Sequence, residues 1–154
     1  MSKQSEGEKK IVARNRRAFF DFLIVEQIEA GLVLQGTEVK SLREGRVSLE
    51  EAHAKVRDGE ALLIGLNIPP YAHGTYSNHV PDRTRRLLRH RREIVKLESK
   101  TNVERLTIIP LELYFRRGFA KVLLGVARGK KLHDKRQSIR AREDKRAMDR
   151  RGKE

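Results

Sequence analysis

The chain has 154 residues, the length of a single domain, with 35 lysines and arginines against 21 aspartates and glutamates and a formal net charge of +14. It contains no cysteine, which excludes disulfide scaffolds, thiol chemistry and cysteine-ligated metal centres. Because no apolar run approaches the roughly 20 residues needed to span a bilayer and no signal-peptide core follows Met1, we expect a cytoplasmic protein with a polyanionic partner.

The positive charge is segregated. Basic residues outnumber acidic ones by six to two in residues 1–17, by six to one in 82–92 and by twelve to five in 128–154, while the rest of the chain is close to neutral. A solvated surface explains a single charge run as well as a nucleic-acid partner does. Three runs together favour a nucleic-acid partner, because clustered lysines and arginines gain free energy by releasing counterions from phosphates.

The first third of the chain predicts a disordered arm, a strand and a short helix. Residues 1–10 are polar and aperiodic, which indicates disorder. Residues 19–28 alternate between apolar and polar positions, as a strand does, and Ala30-Gly31 is expected to interrupt it with a bulge or tight turn. A short helix is expected to open at Gly36 and to stop at Gly45.

The middle of the chain predicts a hairpin, a loop and a basic helix. Residues 46–57 and 61–68 read as strands joined by Asp58-Gly59, a strong hairpin signal. Residues 69–81 have loop composition. A helix is expected to begin at Asp82, with its arginines on one face and its leucines on another.

Two more strands and a tail complete the chain. Residues 107–115 and 119–127 read as strands around Arg117-Gly118, with Pro110 at an edge or bulge. These elements predict a mainly β fold with flanking helices, a small OB-like antiparallel barrel of about six strands over residues 11–128; an open α+β sandwich is the alternative. Residues 129–154 predict a basic tail that is disordered alone and helical on binding, because its apolar positions are too few to anchor it.

Nothing in the sequence indicates an enzyme, a cofactor or a metal site. His73 and His79 could bind a metal together with Asp82, but a plain loop explains them better because helical spacing and cysteine ligands are missing. Glu50 and Glu51 are adjacent on an expected strand, so their carboxylates point to opposite faces rather than converge as in a nuclease.

Five motifs occur in the order and spacing of one family, and the resemblance that they carry runs from about residue 11 to residue 146. The motifs are Glu29-Ala-Gly31, Gly36-Thr-Glu-Val-Lys-Ser-Leu-Arg43, Pro70-Tyr71, Arg83-Thr-Arg-Arg-Leu-Leu88 and Gly129-Lys-Lys-Leu-His-Asp-Lys-Arg136. On these residues the chain resembles the SsrA-binding protein (small protein B) family. The resemblance implies an OB-like barrel without catalytic activity that binds the tRNA-like end of transfer-messenger RNA. It also implies delivery of that RNA to stalled ribosomes for nascent-chain tagging and ribosome rescue, the process of trans-translation.

The resemblance and the charge pattern together assign two sets of site residues. By resemblance the RNA-binding face includes Glu29, Glu38, Lys40, Leu88 and His90, and the basic segment adds Arg85, Arg86 and Arg89. In the tail, the resemblance implies that the motif engages ribosomal RNA in the decoding centre, and we assign to it Lys130, Lys131, His133, Asp134, Lys135 and Arg136.

One alternative function stays open on the residues alone: a basic ribosomal protein or translation factor without specificity for transfer-messenger RNA. Membrane-surface binding is disfavoured, because Leu132, Ile139 and Met148 give the tail too little apolar area. We expect a monomer.

Overall fold

The structure, a computed structural model, describes residues 8–74, 78–130 and 132–151, and for residues 132–134 the backbone alone. These residues form seven strands and four helices. The elements are β1 (Lys9–Arg14), α1 (Ala18–Asp21), β2 (Phe22–Leu32), α2 (Gly36–Arg43), β3 (His53–Arg57), β4 (Glu60–Ile64), β5 (Arg85–Leu88), α3 (Arg91–Asn102), β6 (Thr107–Arg116), β7 (Phe119–Gly129) and α4 (Leu132–Arg151).

Six of the strands close into a ring. The order β6-β3-β4-β5-β2-β7 returns to β6, and every pairing is antiparallel. One edge of β6 follows β7 along its length, and the other edge is shared, with Ile108 paired to β3 and residues 112–116 paired to β1. The structure therefore confirms the predicted small barrel, and β1 is a seventh strand laid against it.

The two predicted hairpins form with the same turn geometry. Asp58 and Gly59 have φ values of 52° and 78°, and Arg117 and Gly118 have 54° and 79°. Positive φ at both central residues is the mark of the tight two-residue turn that matches the twist of the flanking strands. Pro110 lies at a shift of register between β6 and β7, as predicted for a residue that cannot donate to the ladder.

The expected interruption at Ala30-Gly31 is wrong, because β2 continues to Leu32. Gly31 pairs with Lys121 of β7 on one side and with Leu88 of β5 on the other. A Cβ at this position would lie 3.2 Å from the Cβ of Leu88. The glycine therefore permits a close approach of two strands and makes no turn.

The predicted helix at Asp82 is also wrong at its start. Residues 85–88 form β5, and helix α3 begins only at Arg91. Arginine and leucine both favour helix, so the sequence of β5 reads as helical, although in the structure its residues alternate between buried and exposed. Similarly, residues 19–21 fold into α1. Of the predicted strand 46–57, residues 53–57 form β3, and Ser48 makes an isolated bridge to Asn67.

The two ends of the chain differ from expectation. The arm predicted to be disordered already pairs at Lys9 and Lys10, which lie opposite Arg116 and Phe115; residues 1–7 lie outside the described residues. At the other end, residues 132–151 are helical in the chain by itself, as their high content of helix-favouring residues allows. No described side chain of α4 is buried, which agrees with the thin apolar stripe of the sequence.

Candidate nucleic-acid interface

The junction of β2 and β5 gathers five of the predicted RNA-binding residues. Leu88 pairs with Gly31, two residues beyond Glu29, and the Leu88 side chain is 51% exposed. Arg89 and His90 continue from Leu88 to the start of α3, and His90 occupies the N-cap position. Arg86 lies two residues before Leu88, on the same exposed side of β5. The pairing of β2 with β5 thus brings residues from separate motifs together on one surface.

Glu29 is held by two donors from β6. The Tyr114 hydroxyl and the Arg116 Nη1, at 2.7 Å, both donate to Oε2 of Glu29. Burial of Tyr114, followed by its bond to Glu29, raises the pKa of the phenol well above its ordinary value, so Tyr114 keeps its proton and remains a donor. The Glu29 side chain stays about one-third exposed, at 32%. Its carboxylate is therefore fixed in place and still accessible.

Arg85 and Glu38, both predicted to bind RNA, are not surface residues of this chain. Both are 0% exposed, and Arg85 Nε donates to Glu38 Oε2 at 2.5 Å. The remaining donors of Arg85 reach the carbonyl oxygens of Leu66, Arg83 and Pro81 at 2.6 to 3.0 Å. The inward position of Arg85 follows from the strand alternation of β5, which a helical interpretation of this segment conceals.

This buried pair attaches α2 to the barrel. Glu38 Oε1 accepts hydrogen bonds from the Gln35 backbone N–H at 2.7 Å and from Arg83 at 2.6 Å, so the carboxylate also caps the start of α2. Burial alone would raise the pKa of Glu38, but the hydrogen bonds from Arg83, Gln35 and Arg85 outweigh it and lower the pKa below its ordinary value. Glu38 and Arg85 thus hold α2 in position against the barrel.

Loop 69–81 is fastened to α2 by polar side chains. His79 is 5% exposed; its Nε2 lies 2.8 Å from the Ile68 carbonyl and its Nδ1 lies 2.9 Å from the Thr37 hydroxyl. The carbonyl can only accept, so Nε2 carries the hydrogen. Ser41 Oγ donates to the Pro69 carbonyl at 2.8 Å. His79 therefore has a structural role.

His73 lies elsewhere, with its ring 5.4 Å from that of Tyr71. The structure does not assemble the metal site that His73, His79 and Asp82 could have formed, and the described ranges contain no group of three or more His, Asp or Glu side chains arranged to hold a metal ion.

Lys40 extends from the exposed side of α2. Its Nζ lies 5.5 Å from the centre of the Tyr71 ring, within the range of a cation–π contact. The aromatic ring limits where the ammonium can lie, and both groups belong to motifs that carry the family resemblance. The structure therefore presents Lys40 on a fixed helix beside an aromatic face.

The tail residues that the structure describes begin against α1. The Lys130 backbone N–H donates to the Asp21 carbonyl, and its Nζ donates to the Phe19 carbonyl, both at 2.9 Å. Lys135 Nζ lies 3.5 Å from Asp21 Oδ1 and 5.9 Å from the Phe20 ring centre. Arg136 is exposed. Lys131 lies outside the described residues, as do the side chains of His133 and Asp134.

Several residues of this interface carry no signal in the sequence. Tyr114 and Arg116 lie far along the chain from Glu29 and look like ordinary strand residues. Arg83 sits inside a run of arginines that all look alike. Strand alternation would have placed one of Arg85 and Arg86 inward, but each face of Arg-Arg-Leu-Leu carries one arginine and one leucine, so the sequence does not say which.

None of the helices in the described residues combines the length and the apolar character that a membrane span requires.

Comparisons with known proteins point to a single family. The family model "SmpB protein" matches residues 12–154. The SsrA-binding protein of Syntrophobacter fumaroxidans is 51% identical over 97% of this chain and 93% of its own length, and that of Geobacillus kaustophilus is 52% identical over 94% of each. A solved structure described as "tmRNA-SmpB: a journey to the center of the bacterial ribosome" matches 83% of this chain and 94% of its own with a TM-score of 0.68 and 48% identity. The chain belongs to the SmpB family of SsrA-binding proteins.

Proposed function

We propose that this chain binds the tRNA-like end of transfer-messenger RNA and delivers it to stalled ribosomes, where it enables nascent-chain tagging and ribosome rescue. The observation that carries this proposal is the likeness to SsrA-binding proteins at about half identity over nearly the whole chain, including the structure of the tmRNA-bound relative. The chain acts by binding, in the cytoplasm, and performs no catalytic step of its own.

The RNA-binding face is the surface at the junction of β2 and β5. Arg86 and Arg89 reach phosphates. In the free chain Arg86 lies 3.8 Å from Glu60, and Arg89 is paired with Glu93. These surface ion pairs are weak, and each is exchanged for a contact with phosphate on binding. Leu88 supplies apolar contact, and the ring of His90 can stack on an unpaired base.

Glu29 supplies a different kind of contact. A carboxylate only accepts hydrogen bonds and is repelled by phosphates, so its partner on the RNA is a donor, either a base N–H or a ribose 2′-hydroxyl. Tyr114 and Arg116 hold Oε2 of this carboxylate. Glu29 therefore contributes discrimination, whereas the arginines contribute affinity that varies little with sequence.

The tail has a separate role on the ribosome. The basic residues of the motif, Lys130, Lys131, Lys135 and Arg136, neutralise ribosomal RNA phosphates in the decoding centre, and His133 stacks on an exposed base. Asp134 is repelled by phosphate and does not face it; a carboxylate in the first turn of a helix interacts favourably with the positive end of the helix dipole. Since no described residue of α4 is buried, the helix can leave the barrel without opening the core.

The experiment that tests the proposed function is sequencing of the RNA that co-purifies with the tagged protein from its own cells. We expect transfer-messenger RNA to be enriched far beyond its cellular share, and to remain bound after a wash that removes ribosomal subunits. Recovery of ribosomal RNA alone, retained at high salt, would instead identify a ribosomal protein. Purified protein and transcribed RNA then give the affinity directly in a gel-shift titration.

A further inference from the structure

A second basic surface lies where β1, α2 and the β6–β7 hairpin meet. It is a cleft of about 250 Å³ lined by Glu8, Lys10, Arg43, Phe115, Arg117 and Gly118. Three cationic side chains line it together with a single carboxylate. Neither the charge segregation of the sequence nor the family motifs identify these residues as a group, because they come from three distant parts of the chain.

Two of the cations are mounted around one buried aromatic ring. Phe115 is only 7% exposed and lies opposite Lys10 in the β1–β6 register. The Arg43 guanidinium carbon lies 5.1 Å from the centre of the Phe115 ring, a cation–π distance. A guanidinium that rests on a fixed ring loses less conformational entropy when it binds an anion. The cleft is therefore partly organised before any ligand arrives.

The third cation occupies a position that arginine does not favour. Arg117 has a φ of 54° in a turn whose first central position prefers Asn, Asp or Gly. The other hairpin of the barrel has the same geometry and uses Asp58, with a φ of 52°, at the equivalent place. A residue in the left-handed region costs stability unless it is suited to it, and such costs concentrate at functional sites.

We propose that this cleft binds phosphate groups of an RNA backbone, through Lys10, Arg43 and Arg117, as a contact additional to the β2–β5 face. The inference rests on the proposed function, since it takes the ligand to be RNA. The Glu8 carboxylate repels phosphate, so the backbone enters on the side of the three cations. The phosphates belong either to the transfer-messenger RNA or to ribosomal RNA, and the two sources are separated by experiment.

The test uses Arg117→Asn, which removes the charge and installs a residue that the turn prefers. Binding of full-length protein to transcribed transfer-messenger RNA, and separately to purified ribosomes, is measured between 50 and 300 mM salt. In one of the two titrations we expect the slope of log affinity against log salt to fall by about one unit for this variant and by about two to three units when Lys10→Gln and Arg43→Gln are added. The thermal midpoint of Arg117→Asn is expected to equal or exceed that of the unchanged chain.

Arg57→Gln is the matched control, because it removes one exposed arginine next to the other hairpin and leaves the cleft intact. A loss of slope with the isolated RNA assigns the phosphates to transfer-messenger RNA, and a loss with ribosomes alone assigns them to ribosomal RNA. Slopes equal to those of the unchanged chain and of Arg57→Gln in both titrations overturn the inference. Failure of the unchanged chain to bind transfer-messenger RNA would instead contradict the proposed function.

Discussion

Helix α2 is fastened to the barrel and helix α4 to α1, each by a pair of a basic side chain and a carboxylate, but the pairs differ in burial. In α2, Glu38 and Arg85 are both 0% exposed and are 2.5 Å apart. In α4, the side chain of Lys135 is 34% exposed, that of Asp21 is 28% exposed, and the two lie 3.5 Å apart. The same kind of ion pair therefore holds α2 permanently, whereas water can replace the exposed pair that holds α4.

The difference follows from the cost of leaving one partner alone. Removing one member of a buried pair leaves an uncompensated charge in a poorly solvated site, which costs about 3–5 kcal/mol, whereas an exposed pair contributes about 0–1 kcal/mol. Helix α2, which carries Lys40, is thus part of the rigid body, whereas α4 is only weakly attached to it. This division matches the two roles of the proposed function, one on the RNA and one on the ribosome.

The largest expected effect is that of Glu38→Ala. We expect the free energy of unfolding to fall by about 3–5 kcal/mol, because Arg85 keeps its buried charge and loses its partner. Urea unfolding followed by circular dichroism measures it. The control is Glu60→Ala, which removes the exposed partner of Arg86 and should cost less than about 1 kcal/mol. Equal losses in the two variants would show that burial does not distinguish the pairs.

The same pair predicts a pH dependence with a definite sign. The pKa of Glu38 in the folded chain is lowered from its ordinary value of 4.5, so the unfolded chain binds the proton more tightly. The stabilisation is therefore fully present above about pH 4.5 and is lost as the pH falls through the folded-state pKa. We expect Glu38→Gln to flatten this acid limb when unfolding is measured from pH 6 to pH 2. Parallel curves for the two chains would contradict the assignment.

The smallest expected effect is that of Lys135→Ala in the tail. The global free energy of unfolding should change by less than about 1 kcal/mol, since the pair it breaks is exposed. Amide exchange should show α4 nearly unprotected and β7 strongly protected in both chains, because no described residue of α4 is buried. Protection of α4 equal to that of β7, or a large global loss, would make the tail part of the folded body.

The sequence predicted most of the barrel because its strands carry local signals. Asp58-Gly59 and Arg117-Gly118 each determine a turn. Alternating apolar and polar residues, together with apolar runs, indicate the strands on either side of these turns. Strand β5 was missed because four residues of mixed arginine and leucine adjoin a true helix, and so short a segment shows no decisive period. The continuation of β2 through Gly31 depends on the approach of Leu88, which only the tertiary fold supplies.

The candidate site was predictable only in part. Exposed residues such as Leu88 and Arg89 follow from motif and charge. The inward turn of Arg85 and the support of Glu29 by Tyr114 and Arg116 depend on pairing between distant strands, which no local pattern encodes. Sequence reasoning thus located the charged segments but could not divide their arginines into buried and exposed.

The most direct test of the account is the behaviour of a chain that ends at Gly129. Its barrel and β2–β5 face are complete, and it lacks α4, so we expect it to bind isolated transfer-messenger RNA within a few-fold of the full chain. Peptide tagging on stalled ribosomes in a reconstituted translation system should fall to background, and His133→Ala should show the same division in milder form. Normal tagging by the shortened chain would contradict the role of the tail, and loss of RNA binding would contradict the separation of body and tail.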